Sequence, residues 1–181
     1  MVRRRFKGSA ACVVITGVPG AGKTTVSRLV AAQLPRAARI SGDEIAEIIV
    51  SGRVWPLGEP AEEAAAQASL TLNNIAALAR NVTEAGFVAV IDVVLETREQ
   101  LSALTNNLEG DAFLLVLSPS SEVARARNEG RDAAERWDFN GYESLGAQMK
   151  TNFKELGETL DTSDLTAQDV ATAVVDRFFT V

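Results

Sequence analysis

Short, nearly unbroken apolar runs alternate along this chain with longer stretches in which apolar residues return every three or four positions. Residues 11–16 (ACVVIT) are β-branched and hydrophobic almost throughout, the pattern of a strand buried on both faces of a parallel sheet. Comparable runs stand at 38–41 (ARIS), 87–94 (FVAVIDVV) and 113–117 (FLLVL), with a weak last one at 159–160. Between them the spacing predicts helices. The first covers 23–34, and the second covers 43–50 with Ile45, Ile48 and Ile49 on one face. A long one over 60–85 carries Ala68, Leu72, Ile75, Ala79 and Val82 as its apolar stripe and stops at Gly86. Another over 97–108 opens with the capping pattern T-x-x-Q, and one over 119–128 has Pro119 at its first position. Helices over 141–156 and 166–178 complete the set.

Strands alternating with helices imply right-handed βαβ crossovers, and hence an α/β fold with a mostly parallel sheet covered on both faces. Nothing divides the chain, so 1–181 reads as one domain, with 1–10 as a basic N-terminal tail. Two stretches lack a pattern, 51–59 (SGRVWPLGE) and 131–140 (RDAAERWDFN); segments of this kind between core elements serve as pocket walls or lids, and 131–140 is the candidate lid.

Composition narrows the chemistry. There is no histidine, which removes a Ser-His-Asp triad, a Cys-His pair and a His-ligated zinc site; acid–base work falls to carboxylates, lysine or water. The single cysteine, Cys12, lies inside an apolar run as a packed thiol, and a reducing cytosol is the expected compartment. Arg3, Arg4, Arg5 and Lys7 ahead of an apolar stretch imitate a signal peptide, but the run is short and leads straight into a glycine-rich turn. No apolar run reaches the length of a membrane span, and a net charge of −6 gives no chain-wide attraction to nucleic acid.

The glycine-rich turn, GVPGAGKTT at 17–25, fits G-x-x-x-x-G-K-[ST] through Gly17, Gly22, Lys23 and Thr24. Across Gly17, Val18, Pro19, Gly20, Ala21 and Gly22 the backbone is free to curl, so that successive N–H groups point at phosphate oxygens above the positive end of the following helix. Lys23 supplies a movable cation, the Thr24 hydroxyl a ligand for Mg²⁺, and Thr25 closes the motif. The turn is therefore expected to hold a nucleoside triphosphate, ATP with magnesium. An [NT]-K-x-D guanine reader is missing, which argues against a GTPase, and the chain is short for a motor or AAA-type ATPase.

GVPGAGKTT, RISGDEI, FVAVIDVV and VARARNEGR together resemble the small P-loop kinases grouped around chloramphenicol phosphotransferase, with gluconate and shikimate kinases more distant, over about residues 11–175. The resemblance implies a three-layer P-loop NTPase fold with a five-stranded parallel sheet in the order 2-3-1-4-5. It also implies ATP-dependent phosphorylation of a hydroxyl and an arginine-bearing lid. Asp43 stands where such kinases place the carboxylate that orients the acceptor hydroxyl and takes its proton; SGDE also reads as a capping box with Ser41 as N-cap. Asp92 ends FVAVID as a Walker-B carboxylate would, for Mg²⁺ or a water on it, or else as a structural cap. Several relatives have a second Asp next, where this chain has Val93. Arg127 and Arg131 match the family's R-x-x-x-R in spacing, with Arg125 and Arg136 close by, against the alternative of a solvated helix face. Thr162 and Ser163 fall in the loop that covers adenine in such kinases.

For the acceptor, Gln67, Thr71 and Asn74 form an uncharged polar stripe on the long helix and Trp55 precedes it, either as walls for a polyhydroxylated or drug-like molecule or as a plain solvent face. Three readings stand: a kinase acting on a small-molecule hydroxyl of antibiotic or sugar-like type, a nucleoside, nucleotide or polynucleotide-end kinase, and a nucleotide-binding regulatory ATPase.

Overall fold

In the computed structural model, which describes residues 5–6, 12–106, 108, 112–133 and 136–180, five strands form one parallel sheet. These are β2 (Cys12–Gly17), β3 (Ala37–Ser41), β4 (Val88–Asp92), β5 (Ala112–Leu117) and β6 (Glu158–Leu160), in the order β3-β4-β2-β5-β6. Counted from the first core strand that order is 2-3-1-4-5, as the resemblance implies. A separate two-stranded ladder pairs β1 (Arg5–Phe6) with β7 (Phe179–Thr180), antiparallel. The rest of the basic tail, Ala11 and residues 107, 109–111, 134, 135 and 181 lie outside the described residues.

β2 sits at the centre because it can: every one of its residues is buried, and its register runs Val13↔Val90 on one side and Val13↔Phe113 on the other. Burying one such valine or isoleucine contributes about 1.5–3 kcal/mol, so a strand of this composition resists any edge position. Cys12 is part of that wall, and burial pushes its thiol up to about 12, which makes it inert at neutral pH.

Helices α1 (Lys23–Gln33) and α7 (Ala167–Phe178) pack together on one face. Right-handed crossovers place α3 (Ala61–Glu84), α4 (Arg98–Thr105), α5 (Ser121–Glu129) and α6 (Tyr142–Phe153) on the other, and α3 packs on β3, β4 and α4. The long-helix stripe is as its spacing predicts at Leu72, Ile75, Ala79 and Val82, and Gly86 ends the helix at φ 77°. Ala68 instead faces a cavity. The T-x-x-Q pattern forms a full capping box, with Thr97 Oγ1 accepting from Gln100 N at 3.2 Å and Gln100 Oε1 accepting from Thr97 N at 3.2 Å.

Two helices depart from expectation. The one expected over 43–50 is a single turn, α2 (Gly42–Ala46), and Ile48 is 59% exposed; the β-branched run after Ala46 favours an extended path, and Ile49 turns into the same cavity. Pro119 lies ahead of its helix, because the Ser120 hydroxyl takes the cap by accepting from Val123 N. No helix among the described residues is long and apolar enough to cross a membrane.

Candidate active site

All five core strands point their C-terminal ends at one crevice, and the two sides of that crevice begin where β2 parts from β4 and β5. The loop leaving β2 is shaped by its glycines: Gly20 and Gly22 have φ 76° and 94°, and a Cβ on Gly17 would lie 2.5 Å from the Leu117 carbonyl oxygen. A Cβ on Gly20 would run into the Ala124 carbonyl of α5. Val18 and Ala21 are buried, with Ala21 N closing a turn onto Val18 O at 3.1 Å, and Pro19 lines the crevice. Thr25 is exposed on the first turn of α1.

α1 starts without a side-chain cap and without an acidic residue in its first turn, unlike α2, α4 and α5, each capped by a Ser or Thr. Its first N–H groups are left for an anion. Lys23 Nζ folds back to donate to Gly17 O at 2.9 Å and Val18 O at 3.1 Å. Burial pushes its ammonium down to about 8, with Arg131 adding to the effect and the negative charges of Asp43 and Asp92 opposing it.

Asp92 is 3% exposed and hydrogen-bonded by three side chains from two elements, α1 and β3. Ser27 of α1 donates to its Oδ2 at 2.7 Å, Arg39 of β3 donates through Nε to the same oxygen at 2.9 Å, and Thr24 Oγ1 reaches Oδ1 at 3.3 Å. Arg39 Nη1 also donates to Glu44 Oε1 at 2.8 Å, and that hydrogen bond, outweighing slight desolvation, holds the Glu44 carboxyl below the usual range. Thr24 and Asp92 are thus a neighbouring hydroxyl and carboxylate at the mouth of the loop. They fit Mg²⁺, which keeps most of its waters and takes one or two protein oxygens together with phosphate oxygens. Among the described residues no cluster of three acidic or Cys side chains offers an all-protein metal cage.

Asp43 is free of the cap that competes for it. Ser41 Oγ accepts from Glu44 N at 3.5 Å and the Glu44 carboxylate goes to Arg39, so the capping box is half-built and Asp43 has no part in it. Asp43 is exposed, and together with Lys23, Thr24, Arg131, Pro19, Val94 and Trp137 it lines a small cavity beside the loop. That cavity shares Pro19, Asp43, Val94 and Trp137 with a larger one of about 170 Å³ reaching toward α3.

The arginines divide. Arg131 enters the small cavity, whereas Arg127 Nη2 donates to Thr162 O at 3.0 Å in the loop after β6. Arg125 lies over the Tyr142 ring, and Arg136 donates to the Arg131 carbonyl. Ser163 Oγ accepts from Ser120 N and donates to Asp161, tying that loop to the start of α5. Thr162 is buried and its Oγ1 has no partner.

On the acceptor side the polar stripe is only partly available. Gln67 lines the larger cavity, but its amide is occupied: Nε2 donates to Gly52 O, Oε1 accepts from Val54 N, both at 2.8 Å, and Nε2 also reaches Glu63. Thr71 lines it too, with its hydroxyl turned back to Gln67 O. Asn74 lies outside the lining residues, and Trp55 stands behind Trp137, ring centroids 4.6 Å apart, rather than on the wall. The wall is made by Trp137 and Phe139, with Arg53 and Glu96 as further charged groups. Asn128, 3% exposed, clasps the Trp137 peptide by donating to its carbonyl at 2.8 Å and accepting from its N–H at 3.2 Å. Sequence reasoning passed over Arg39, Ser27, Glu96, Asn128, Trp137 and Phe139. Of these, only Arg39, a charge inside an otherwise apolar strand, and Glu96, just beyond a strand's C-terminal end, carried a local signal.

Comparison with known proteins adds the family. The model of the AAA domain family (AAA_33) matches residues 12–156, and the chain belongs to that family. No curated protein matches the chain in sequence. Among solved structures, a sugar kinase from Janibacter sp. HTCC2649 is 21% identical with a TM-score of 0.67, covering 92% of each chain. The tunicamycin resistance protein of Deinococcus radiodurans is 19% identical with a TM-score of 0.64, over 95% of this chain and 99% of that one. APS kinase of Mycobacterium tuberculosis, solved with AMPPNP and APS, is 17% identical with a TM-score of 0.67, over 93% and 97%. At these identities the likeness is one of fold, and at that level the resemblance to small P-loop kinases is borne out.

Proposed function

We propose that the chain is an ATP-dependent phosphotransferase that moves the γ-phosphoryl group to a hydroxyl of a small molecule held in the larger cavity. One observation carries the reading: the uncommitted Asp43 carboxylate lines both cavities, between the phosphate loop with Lys23, Thr24 and Arg131 on one side and an aromatic-walled chamber on the other. A module that only binds or hydrolyses a nucleotide has no use for a second chamber behind a carboxylate. The sugar kinase and the APS kinase among the fold neighbours support transfer to a small acceptor, and the tunicamycin resistance protein is in keeping with an antibiotic-like one.

In the proposed reaction the acceptor oxygen attacks the γ-phosphorus, the bond from that phosphorus to the β-bridging oxygen breaks, and ADP leaves with the bonding pair. Asp43 orients the hydroxyl and accepts its proton as the new bond forms. Lys23 and Arg131 stand where negative charge spreads over the moving phosphoryl oxygens. Thr24, with Asp92 acting directly or through water, would hold Mg²⁺, which when bound neutralises the β and γ oxygens. Arg127, Ser163 and the unpartnered Thr162 hydroxyl frame the side on which the base would lie. On this reading the nucleotide is ATP, the acceptor a small molecule rather than a nucleic acid, and the compartment the cytosol.

The test is a panel of hydroxylated compounds incubated with MgATP, read by mass detection of phosphorylated product. A phosphorylated sugar-like or antibiotic-like alcohol supports the reading. Phosphorylation confined to nucleosides or 5′ ends would replace it with a nucleoside or polynucleotide-end kinase, and ATP turnover with no phosphorylated product would make the chain a regulatory ATPase.

A further inference from the structure

We propose that Arg39 is a positioning residue that locks the Asp92 carboxylate and the α2 turn into one unit, so that the metal-side oxygen of Asp92 and the Asp43 carboxylate are delivered in fixed relation. For what is delivered, this rests on the kinase reading above; the geometry itself does not.

Arg39 is the only side chain among the described residues that bonds both Asp92 and Glu44, the neighbour of Asp43 in α2. Its Nε is 2.9 Å from Asp92 Oδ2, its Nη2 3.5 Å from Asp92 Oδ1, and its Nη1 2.8 Å from Glu44 Oε1. The Arg39 side chain is 14% exposed, so it is largely withdrawn from water where it makes these bonds. Three nitrogens of a rigid planar fork thus fix two carboxylates from different elements, which an ammonium on a flexible stem cannot reproduce.

The consequence for Asp92 is directional. Ser27 Oγ and Arg39 Nε occupy Oδ2 with short bonds, while Oδ1 has only the longer contacts from Arg39 Nη2 at 3.5 Å and from Thr24 Oγ1 at 3.3 Å, the hydroxyl on the loop side. A shared positive charge also weakens the pull of Asp92 on a cation, which suits a magnesium ion held through its water rather than stripped of it. The consequence for α2 follows from its length. One turn, with five residues, has little rigidity of its own, and Asp43 stands next to Glu44 in it. The register pairs Ser41, the N-cap of α2, with Asp92, so the metal side and the base side are joined twice, once through the sheet and once through Arg39.

Groups that orient a metal-holding carboxylate typically govern about 10–100-fold in metal affinity or activity. The experiment compares wild type with Arg39→Gln, Arg39→Lys and Glu44→Gln, all as full chains, in two kinds of readout. ATP affinity is measured by calorimetry in EDTA and across a Mg²⁺ titration, which needs no acceptor; turnover is measured with an acceptor from the panel above. Arg39→Gln is expected to bind ATP in EDTA within about twofold of wild type while needing roughly tenfold or more Mg²⁺ for the same gain in affinity. Arg39→Lys recovers part of the Mg²⁺ response through a single bond to Asp92. Glu44→Gln leaves the Mg²⁺ response unchanged and lowers kcat about tenfold, because only the α2 arm is weakened, its guanidinium–carboxylate pairing reduced to a bond to a neutral amide oxygen.

A merely structural Arg39 would lower the melting temperature and leave every Mg²⁺ response alike, and that result overturns the proposal. If Arg39→Gln does not fold, Arg39→Lys and Glu44→Gln decide: a wild-type Mg²⁺ response in the first, or wild-type turnover in the second, overturns it equally. Absence of transfer in wild type with the Mg²⁺ differences intact would refute the kinase reading alone.

Discussion

Lys23 lays its Nζ 2.9 Å from the carbonyl oxygen of Gly17, at the opposite end of the loop that both residues delimit. The ammonium is therefore partnered by main-chain oxygens and must be drawn off them by a stronger anion. A triphosphate tail is such an anion, and the uncapped start of α1 lies beside it.

On the kinase reading, the depressed Lys23 ammonium should make ATP affinity fall with rising pH. It holds its proton up to about pH 8 in the folded protein against 10.5 for an ordinary lysine. Above pH 8 the empty protein has released a proton that bound phosphate would need back, so affinity should drop by up to about tenfold per pH unit, with proton uptake on binding. The same shift has a stability sign: between about 8 and 10.5 the unfolded chain holds the proton the folded one has lost, so stability rises with pH across that window. Calorimetry in buffers of different ionisation enthalpy and pH-dependent melting check both. Lys23→Met should abolish both slopes and weaken ATP binding at every pH.

Asp43→Asn should separate binding from chemistry. The side chain takes no part in capping α2, so the fold and ATP affinity, within about twofold, should survive, while kcat falls roughly 10²–10⁴-fold as expected for loss of a general base. Steady-state kinetics beside ATP calorimetry give the answer; unchanged kcat would remove Asp43 from the chemistry.

Two loop glycines should respond very differently to a methyl group. Gly22, at φ 94°, has open space around it, so Gly22→Ala carries the left-handed backbone cost of about 1–2 kcal/mol and little else. Gly20 packs against the Ala124 carbonyl, backbone that cannot yield cheaply, so Gly20→Ala should cost about 3 kcal/mol or more and displace α5 from the loop. Urea denaturation of the two variants ranks them, and equal losses would show that the loop is not seated on α5.

Gln67→Ala tests the acceptor chamber from behind. Three hydrogen bonds from one amide hold Gly52, Val54 and Glu63, and the freed 51–59 segment should raise acceptor KM about tenfold, near 1.4 kcal/mol, while ATP KM stays put. A parallel rise in both constants would mean that the chamber and the phosphate loop are not separate.

What the sequence could tell depended on range. The phosphate loop and the strands β2, β4 and β5 were readable because their signals are local, glycines at fixed offsets and nearly continuous apolar runs, while β3 and β6 left fainter traces. The same locality misled at 43–50, where Ile45, Ile48 and Ile49 fall at helical spacing although Ile48 is exposed and Ile49 lines a cavity. The partners of Asp92 were out of reach, since Ser27 and Arg39 come to it only once β3 lies beside β4 and α1 lies across both. Likewise Gln67 was visible as a polar helix position, but that its amide serves a neighbouring backbone depends on where residues 52–54 run. Trp55 and Trp137 are far apart in the chain, and which of them fronts the chamber is decided by the Asn128 clasp.

On the kinase reading, Lys23, Thr24 and Asp92 on the phosphate side stand on the first turn of α1 or at a strand end, tied to the sheet, with Arg131 reaching in from beyond α5, whereas the chamber is walled largely by α2, α3 and irregular chain. Substitutions at Val54, Leu57, Ala68 or Phe139 can therefore remodel what the chamber admits without touching the machinery beside it. On the kinase reading, a lineage built this way can trade one acceptor for another in small steps, keeping its energy source throughout, and directed evolution of new specificities should begin at those walls.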